Sequence, residues 1–329
     1  MANIILLTGA NGFLGSHIAR ELLNRRYVVR ALVRPGSNRS TLPDLPIELM
    51  EGDICHADDV LKATKGCAGV IHAAGLATVN PARNPMVWAV NKTGTENVLR
   101  AAKQHQVRRL VYVGTANVFG FGTKEQPGDE KSPYSGQVYG VDYMDSKVAA
   151  TELVKQAVVK DDLPAVMVHP SFLLGPLDNK PTSGAMLLAI AKRELPGYTA
   201  GGKNFIHVRD AAIGTVNALT MGRAGQSYIL GNENLTYREA FELMAEAAGV
   251  RPPRFGLSPG LTRLYAKYSE WRAGWSGKPA QVTLPMALIA SDGHYFSSQK
   301  AIKELSLPQT PIRQAIQEGY EWFAANGYL

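Results

Sequence analysis

Apolar and polar positions follow a regular rhythm along the first half of this chain. Short apolar runs recur: "NIILLTG" (3–9), "YVVRALV" (27–33), "IELM" (47–50), "GVIHAA" (69–74), "RLVYVG" (109–114) and "PAVMVH" (164–169). Such runs suit strands buried on both faces. Between most of them the apolar positions fall at helical spacing, over 13–26, 86–105 and 141–160. Strand–helix repeats close right-handed crossovers, so the pattern predicts an α/β fold with a doubly wound parallel sheet.

After "HPSFLLGP" (169–176) the rhythm changes. Pro176, Pro181, Pro196 and "GYTAGGKNF" (197–205) leave 171–204 as loops around one helix. Residues 205–222 read as a strand entering a helix, and "SYILG" (227–231) as a further strand. Thr236 and Glu239 form a capping box that opens the helix "YREAFELMAEAAG". Residues 257–329 are mostly helical in pattern. The expected organisation is a dinucleotide-type domain of residues 1–170 and 205–231. A smaller, discontinuous, mostly helical substrate lobe, 171–204 and 232–329, would cover the mouth of its sheet.

Composition changes this picture little. At 329 residues, 45% apolar and 19% charged, the chain is an ordinary globular one. No apolar run reaches the length of a membrane helix, and the N-terminus lacks the basic start of a signal peptide, so no membrane partner and a cytoplasmic setting are expected. Cys55 and Cys67 are too few for a disulfide framework and match no zinc spacing, so no metal is expected. The net charge of +7 is locally concentrated: Arg20, Arg25, Arg26, Arg30, Arg34 and Arg39 face the single acid Glu21 within residues 20–39. A basic stripe interleaved with aromatics is missing, which argues against nucleic acid and for a small anion near the arginines.

"TGANGFLGSH" supplies the anion site. Gly9, Gly12 and Gly15 stand between the first strand and the first helix. The first allows a tight turn, the second close approach of backbone to a pyrophosphate, and the third close packing of helix on strand, as in a Rossmann-type unit. The diphosphate then meets the free N–H groups of the helix start. An NAD-binding unit carries an acid about twenty residues on. Here "ALVRPGSNRS" puts Arg34 there instead, with Ser37 and Arg39 close by. A guanidinium grips a ribose 2′-phosphate that a carboxylate would repel, so NADP(H) is favoured over NAD(H).

Tyr143 and Lys147 lie four apart, on one face of the 141–160 helix. A nearby ammonium favours the phenolate and would bring the tyrosine toward the range of general acid–base work. Chance produces such a pair roughly 0.6 times in a chain of this content, so context must decide. Thr115, ending a strand, could bind the same reacting oxygen.

In context these residues resemble the extended short-chain dehydrogenase/reductase family, within the NAD-dependent epimerase/dehydratase superfamily. The resemblance rests on "TGANGFLG" (8–15), Gly52–Asp53, "HAAG" (72–75), "NKTGTENVL" (91–99), "VGTANVFG" (113–120), "YMDSK" (143–147) and "HPSFLLGP" (169–176), in order. "HVRDAAIGTVNAL" (207–219) and "YILGNENLTYREAFELM" (228–244) extend it into the second lobe. It implies that Tyr143 is the general acid or base, and that Lys147 holds the nicotinamide ribose and lowers the tyrosine pKa. Thr115 stands where serine is commoner. Phe13 and Leu14 would meet the pyrophosphate, Asp53 and Ile54 the adenine, Ala73 and Ala74 the ribose, with Gly75 and Asn91 close by. Pro170, Ser171 and Phe172 would flank the nicotinamide. Helices 86–105 and 141–160 would form a homodimer interface. Two departures stand out: Thr151, with Glu152 one place later, where the family often has Glu; and His169 in place of Asn, read as a packed histidine.

"YVVRALVRPGSNRSTL" and "HPSFLLGPLDNKPTSG" resemble the dihydroflavonol-4-reductase-like branch. The expected activity is NADPH-dependent reduction of a hydrophobic or aromatic ketone or aldehyde. The candidate lining is Leu76, Thr78, Phe119, Phe121, Tyr134, Leu173, Leu174, Met186 and Phe205, about half of them core. A sugar-nucleotide epimerase or dehydratase that recycles its cofactor is the alternative, with Arg193, Lys203 and Arg209 available to a diphosphate. A non-catalytic NADP sensor is a second alternative.

Overall fold

Seven strands form the central sheet of the computed structural model, which describes residues 3–43, 45–276, 280 and 282–329. They are β1 (Ile4–Thr8), β2 (Val28–Val33), β3 (Glu48–Glu51), β4 (Gly69–His72), β5 (Arg109–Val113), β6 (Ala165–Pro170) and a later strand at Ser227–Leu230. Every pairing is parallel, and the order across the sheet is β3-β2-β1-β4-β5-β6 with Ser227–Leu230 at the far edge. The chain runs outward from β1 to β3 and then restarts on the other side of β1 with β4. That reversal leaves a crevice beyond the carboxyl ends of β1 and β4, the place where α/β sheets bind ligands.

Helices cover both faces because both faces are apolar. On one side α1 (Phe13–Asn24) packs against a helix at Val208–Asn217 over Ile5, Leu7, Val29, Val111 and Val166. On the other, α2 (Ala57–Thr64), the helix ending at Gln104 and the one at Asp142–Asp161 enclose Leu6, Val70, Leu110, Tyr112 and Met167. The helix expected over 86–105 is three pieces in one: α3 (Pro85–Trp88), a π-helical turn (Ala89–Thr93) and α4 (Gly94–Gln104). The π turn shifts the phase of the helix at Asn91, which is buried at its centre. α5 (Asp142–Asp161) follows, buried through Met144, Ser146, Lys147, Ala150, Thr151 and Val154.

The second lobe has a sheet of its own. β7 (Phe172–Leu174), α6 (Gly184–Ala191), β8 (Gly197–Thr199) and β9 (Gly202–His207) occupy the stretch expected to be loops around one helix. Strands of three residues are too short for alternation to register in sequence; pairing with distant chain defines them. β9 pairs with β7, so residues 205–207 belong to this second sheet, and the chain returns to the central sheet through α7 (Val208–Asn217) and β10 (Ser227–Leu230). β11 (Glu233–Thr236), α8 (Tyr237–Ala247) with its capping box, β12 (Phe255–Leu257), α9 (Pro259–Ser276), α10 (Leu284–Ser291), β13 (Gly293–His294), α11 (Gln299–Leu305) and α12 (Ile312–Ala325) complete the chain. Leu174, Phe205, Phe241, Met244, Ile316 and Phe323 form the lobe's core. Among the described residues, no helix is long and apolar enough to cross a membrane, and no cluster of potential metal ligands occurs.

Candidate active site

The turn after β1 is shaped by what cannot fit there. Gly9 has φ +74°, and a Cβ on it would lie 2.7 Å from the Ala74 nitrogen. A Cβ on Gly15 would lie 2.0 Å from the Gly9 carbonyl oxygen. α1 therefore starts hard against the loops that follow β1 and β4. Its N-cap, Gly12, supplies no side-chain cap, and no acid occupies the first turn. The partial positive charge of the helix start thus faces the crevice unneutralised, a fit for a diphosphate.

The loop after β2 is tied to this turn. Asn11 Nδ2 donates to the Asn38 carbonyl at 2.9 Å, and the Thr41 hydroxyl donates to the Asn11 carbonyl at 3.1 Å. Arg34 is exposed, with no carboxylate partner among the described residues, while the Ser37 hydroxyl is buried without a hydrogen-bond partner. Arg39 differs, because its guanidinium is paired with Glu51. No acid adjoins Arg34 in sequence, but the sheet brings Glu51 beside Val33, and Arg39 neutralises it. Past β3, the Asp53 carboxylate accepts from Cys55 N at 2.9 Å, and Asn97 Nδ2 donates to the Ile54 carbonyl at 2.9 Å.

β4 leads into Ala73, Ala74, Gly75 and Leu76. Asn91 clasps this segment: its side-chain oxygen accepts from Leu76 N at 2.8 Å, and its amide donates to the Leu76 carbonyl at 3.1 Å. A buried chain backs it up. Ala74 N donates to Thr8 Oγ1, whose proton goes to His72 Nδ1 at 2.8 Å. Thr95 Oγ1 donates to the Asn91 carbonyl at 2.6 Å, so its oxygen is left to accept from His72 Nε2 at 3.1 Å. These partners assign the imidazole proton to Nε2. Burial, with the Lys147 charge second, lowers the His72 pKa to about 3, so the ring stays neutral.

Tyr143, Lys147 and Thr115 meet where α5 passes the end of β5. Lys147 is almost fully buried; its Nζ donates to the Val113 carbonyl at 3.0 Å and stands 5.2 Å from the Tyr112 ring centre. A Cβ on Gly75 would come within 3.1 Å of that nitrogen, so the ammonium lies against the β4 loop. The Thr115 hydroxyl hydrogen-bonds to Tyr143 and favours its phenolate, but burial outweighs it and the tyrosine pKa is raised. That net direction is opposite to the expected lowering. The reason is that desolvation penalises both charged forms, lowering Lys147 to about 8.

A pH dependence follows. Lys147 keeps its charge below about pH 8 and loses it above. We expect dinucleotide affinity, followed by fluorescence titration, to weaken as pH rises through about 8, and Lys147→Met to flatten that slope. Stability moves the other way. Folding lowers this pKa from 10.5, so the unfolded chain holds the proton longer, and this group's contribution to stability rises with pH between about 8 and 10.5.

Pro170 ends β6, and the Ser171 hydroxyl beside it is buried without a hydrogen-bond partner. Phe172 packs edge-on against Phe205 at 5.4 Å, with Lys203 Nζ 5.5 Å above its ring. Of the lining candidates, Tyr134 and Phe121 share an apolar cluster with Tyr143, Tyr139 and Ile289. The Tyr134 hydroxyl donates to Asp145 at 2.8 Å. Leu76 is held through its backbone by Asn91, and the Thr78 hydroxyl donates to the Asn80 carbonyl. Phe205 and Leu174 are fully buried in the lobe core with Met186 packed on it, Leu173 packs on the first domain's core, and Phe119 is buried against His169. His169 is packed, as expected: buried, hydrogen-bonded to Ser227, and neutral because burial lowers its pKa to about 3. Arg209 is paired with Glu318.

One group, against Phe121 and Tyr139, has no signal in the sequence. His294 stacks on Phe121 at 4.3 Å and donates from Nδ1 to the Asn117 side chain at 3.2 Å, while the Tyr139 hydroxyl donates to Asp292 at 2.6 Å. More than 150 residues separate its halves, so no local spacing could betray it.

Residues 5–231 match the NAD dependent epimerase/dehydratase family. The chain belongs to that family. Over its whole length it is 32% identical to a protein of Synechocystis sp., provisionally named a dihydroflavonol 4-reductase, of which it covers 97%. It is 25% identical, over 98% of its length and 99% of the relative's, to sterol demethylase protein B of Methylococcus capsulatus. It matches the crystal structure of gox2253 with a TM-score of 0.87 and 35% identity, 99% of each chain being covered. As a member of this epimerase/dehydratase family, of the extended short-chain dehydrogenase/reductase kind, the protein is an enzyme that works with a nicotinamide cofactor. The departure at Thr151 also has a physical role. Its hydroxyl donates to the Lys147 carbonyl at 2.8 Å, and Glu152 points to solvent.

Proposed function

We propose that this enzyme is an NADPH-dependent reductase of an apolar or aromatic ketone or aldehyde, running in reverse as an alcohol dehydrogenase. The observation that carries the reading is the meeting of Tyr143, Thr115 and Lys147 beside the wall formed by Gly75 and Asn91. The bound nicotinamide would supply hydride to the carbonyl carbon. Tyr143 would donate its proton to the carbonyl oxygen, and Thr115 would steady the phenolate that remains. Lys147, freed from the Val113 carbonyl, would hold the nicotinamide ribose and keep a positive charge near that phenolate. The glycine turn and the α1 start would bind the diphosphate. Arg34 and Ser37, one exposed without a carboxylate partner among the described residues and the other an unsatisfied hydroxyl, would grip a 2′-phosphate.

Support for an apolar substrate comes from the aromatic and aliphatic side chains packed around Tyr143, and from relatives whose names specify a flavonoid-type reductase and a sterol-processing protein. NADPH consumption against a panel of ketones and aldehydes, with UDP-sugars alongside, tests the reading. Stoichiometric oxidation with a carbonyl supports it. A changed sugar nucleotide without net consumption would overturn it in favour of epimerisation.

Cofactor choice is tested separately. Arg34→Glu should weaken NADPH binding about 10- to 100-fold, the worth of a charge-assisted hydrogen bond or pair of them, and improve NADH relative to it. Unchanged KM values for both cofactors would sink the assignment of Arg34.

A further inference from the structure

α9 is built inside out. Its packed face carries the small residues Thr262, Ala266 and Ser269, while Leu261, Leu264, Tyr268, Trp271 and Trp275 point outward. At 100° per residue those five fall within about 80° of arc, opposite the packed face. Trp271 and Trp275 are 67% and 89% exposed, and Leu264 65%. The flanks of the stripe are basic: exposed Arg263 and Lys267 lie on one side and Arg272 on the other. Exposed Arg251, Arg254 and Phe255 (73% exposed) precede the helix. The one acid within Arg251–Ser276 is Glu270, whose carboxylate accepts from Leu284 N at 2.8 Å.

We propose that α9 docks the enzyme on the surface of an anionic lipid bilayer, lying in the interface with its tryptophans and leucines among the acyl-chain boundary and its basic residues against headgroup phosphates. An outward stripe of Trp and Leu bordered by Lys and Arg is the composition of an interfacial helix, and tryptophan favours the headgroup level. Charge selects lipid over a second copy. The protein carries +7, and two such faces brought together would oppose arginine and lysine to one another. Absence of a spanning helix does not bear on a helix that lies flat.

The location connects to the site. α9 packs on α10, whose Leu288 and Ile289 belong to the cluster around Tyr143 and Tyr134. Docking through α9 brings the substrate side of the enzyme to the bilayer, where a water-insoluble carbonyl compound would be concentrated. That benefit rests on the proposed reduction; the docking does not.

The test is co-sedimentation of the full chain with vesicles of phosphatidylcholine, and of phosphatidylcholine mixed equally with phosphatidylglycerol, with tryptophan emission recorded in parallel. The expected result is binding to the anionic vesicles only, a blue shift on binding, and release by salt. Arg263→Gln and Lys267→Gln should each weaken binding about fivefold, and Trp271→Ser with Trp275→Ser should abolish it, with the thermal melt unchanged. Should the tryptophan variant fail to fold, the two charge variants and the salt titration carry the test. Equal binding to neutral vesicles, no binding at all, or charge variants that bind like the parent would overturn the proposal. So would a sedimentation-velocity shift from dimer to monomer in the tryptophan variant of a parent that ignores vesicles.

Discussion

Tyr143→Phe is expected to lower turnover by roughly 10²- to 10⁴-fold, the usual worth of a positioned general acid, while leaving NADPH affinity unchanged. The substitution deletes one oxygen. It leaves the ring within its cluster of Tyr134, Tyr139, Val141, Met144 and Ile289, so the fold should hold. Lys147 and the glycine turn are both left unaltered, which is why binding should survive. The loss should appear in kcat and kcat/KM together, because the missing proton transfer belongs to the transition state. Steady-state NADPH oxidation, paired with a fluorescence titration of NADPH, makes the measurement. A variant that kept more than a tenth of its activity would remove Tyr143 from the mechanism. A protein that only senses NADP would be indifferent to the change.

Gly15→Ala should be among the most damaging single methyls in the molecule. Its Cβ would lie 2.0 Å from the Gly9 carbonyl oxygen and 3.0 Å from Ala10 Cα, and both neighbours are backbone. α1 would have to move away from β1, opening the contact that aims its first N–H groups at the crevice. Overpacking of this kind costs about 1–3 kcal/mol, sometimes more, and the displaced helix start should cost most of the dinucleotide affinity as well. Gly36→Ala is the control: Gly36 has φ +67° but nothing lies within 4 Å of its Cβ position, so only backbone strain of about 1 kcal/mol is added. Thermal melts with and without NADPH separate the two effects. If the Gly15 variant were stabilised by NADPH as fully as the parent, the close approach of helix and strand would not be what organises the site.

The legible parts of this protein are those whose meaning is local. Gly9, Gly12 and Gly15 announce themselves because strand, turn and helix are consecutive in sequence, and Tyr143 with Lys147 because one helical turn separates them. The strands of the central sheet could be read within a residue or two, since all but the exposed edge strand β3 are largely covered on both faces and so continuously apolar. The sheet that Phe205 joins is not legible, for the complementary reason. An apolar strand entering a helix looks the same whichever sheet it joins, and only its pairing with Phe172 shows which. Leu173, Met186 and Phe205 pack in or on buried clusters, and apolar composition does not distinguish such positions from a pocket lining.

The sequence by itself determined the repeating architecture, the glycine turn between β1 and α1 and the placing of Tyr143 and Lys147 one turn apart on a helix, because each depends on residues within one or two turns or one crossover. Tertiary structure decided what depends on distance and dielectric. It set Glu51 against Arg39 and left Arg34 without a carboxylate partner among the described residues, and it brought His294 to Phe121 and Asn117. It buried Lys147 deeply enough to bring its pKa to about 8, and it buried Tyr143 as well, which raises the tyrosine pKa against the expected lowering. It also turned the apolar side of α9 outward. Periodicity reports that a helix has an apolar face, but only the packing of the other elements determines whether that face meets protein or solvent.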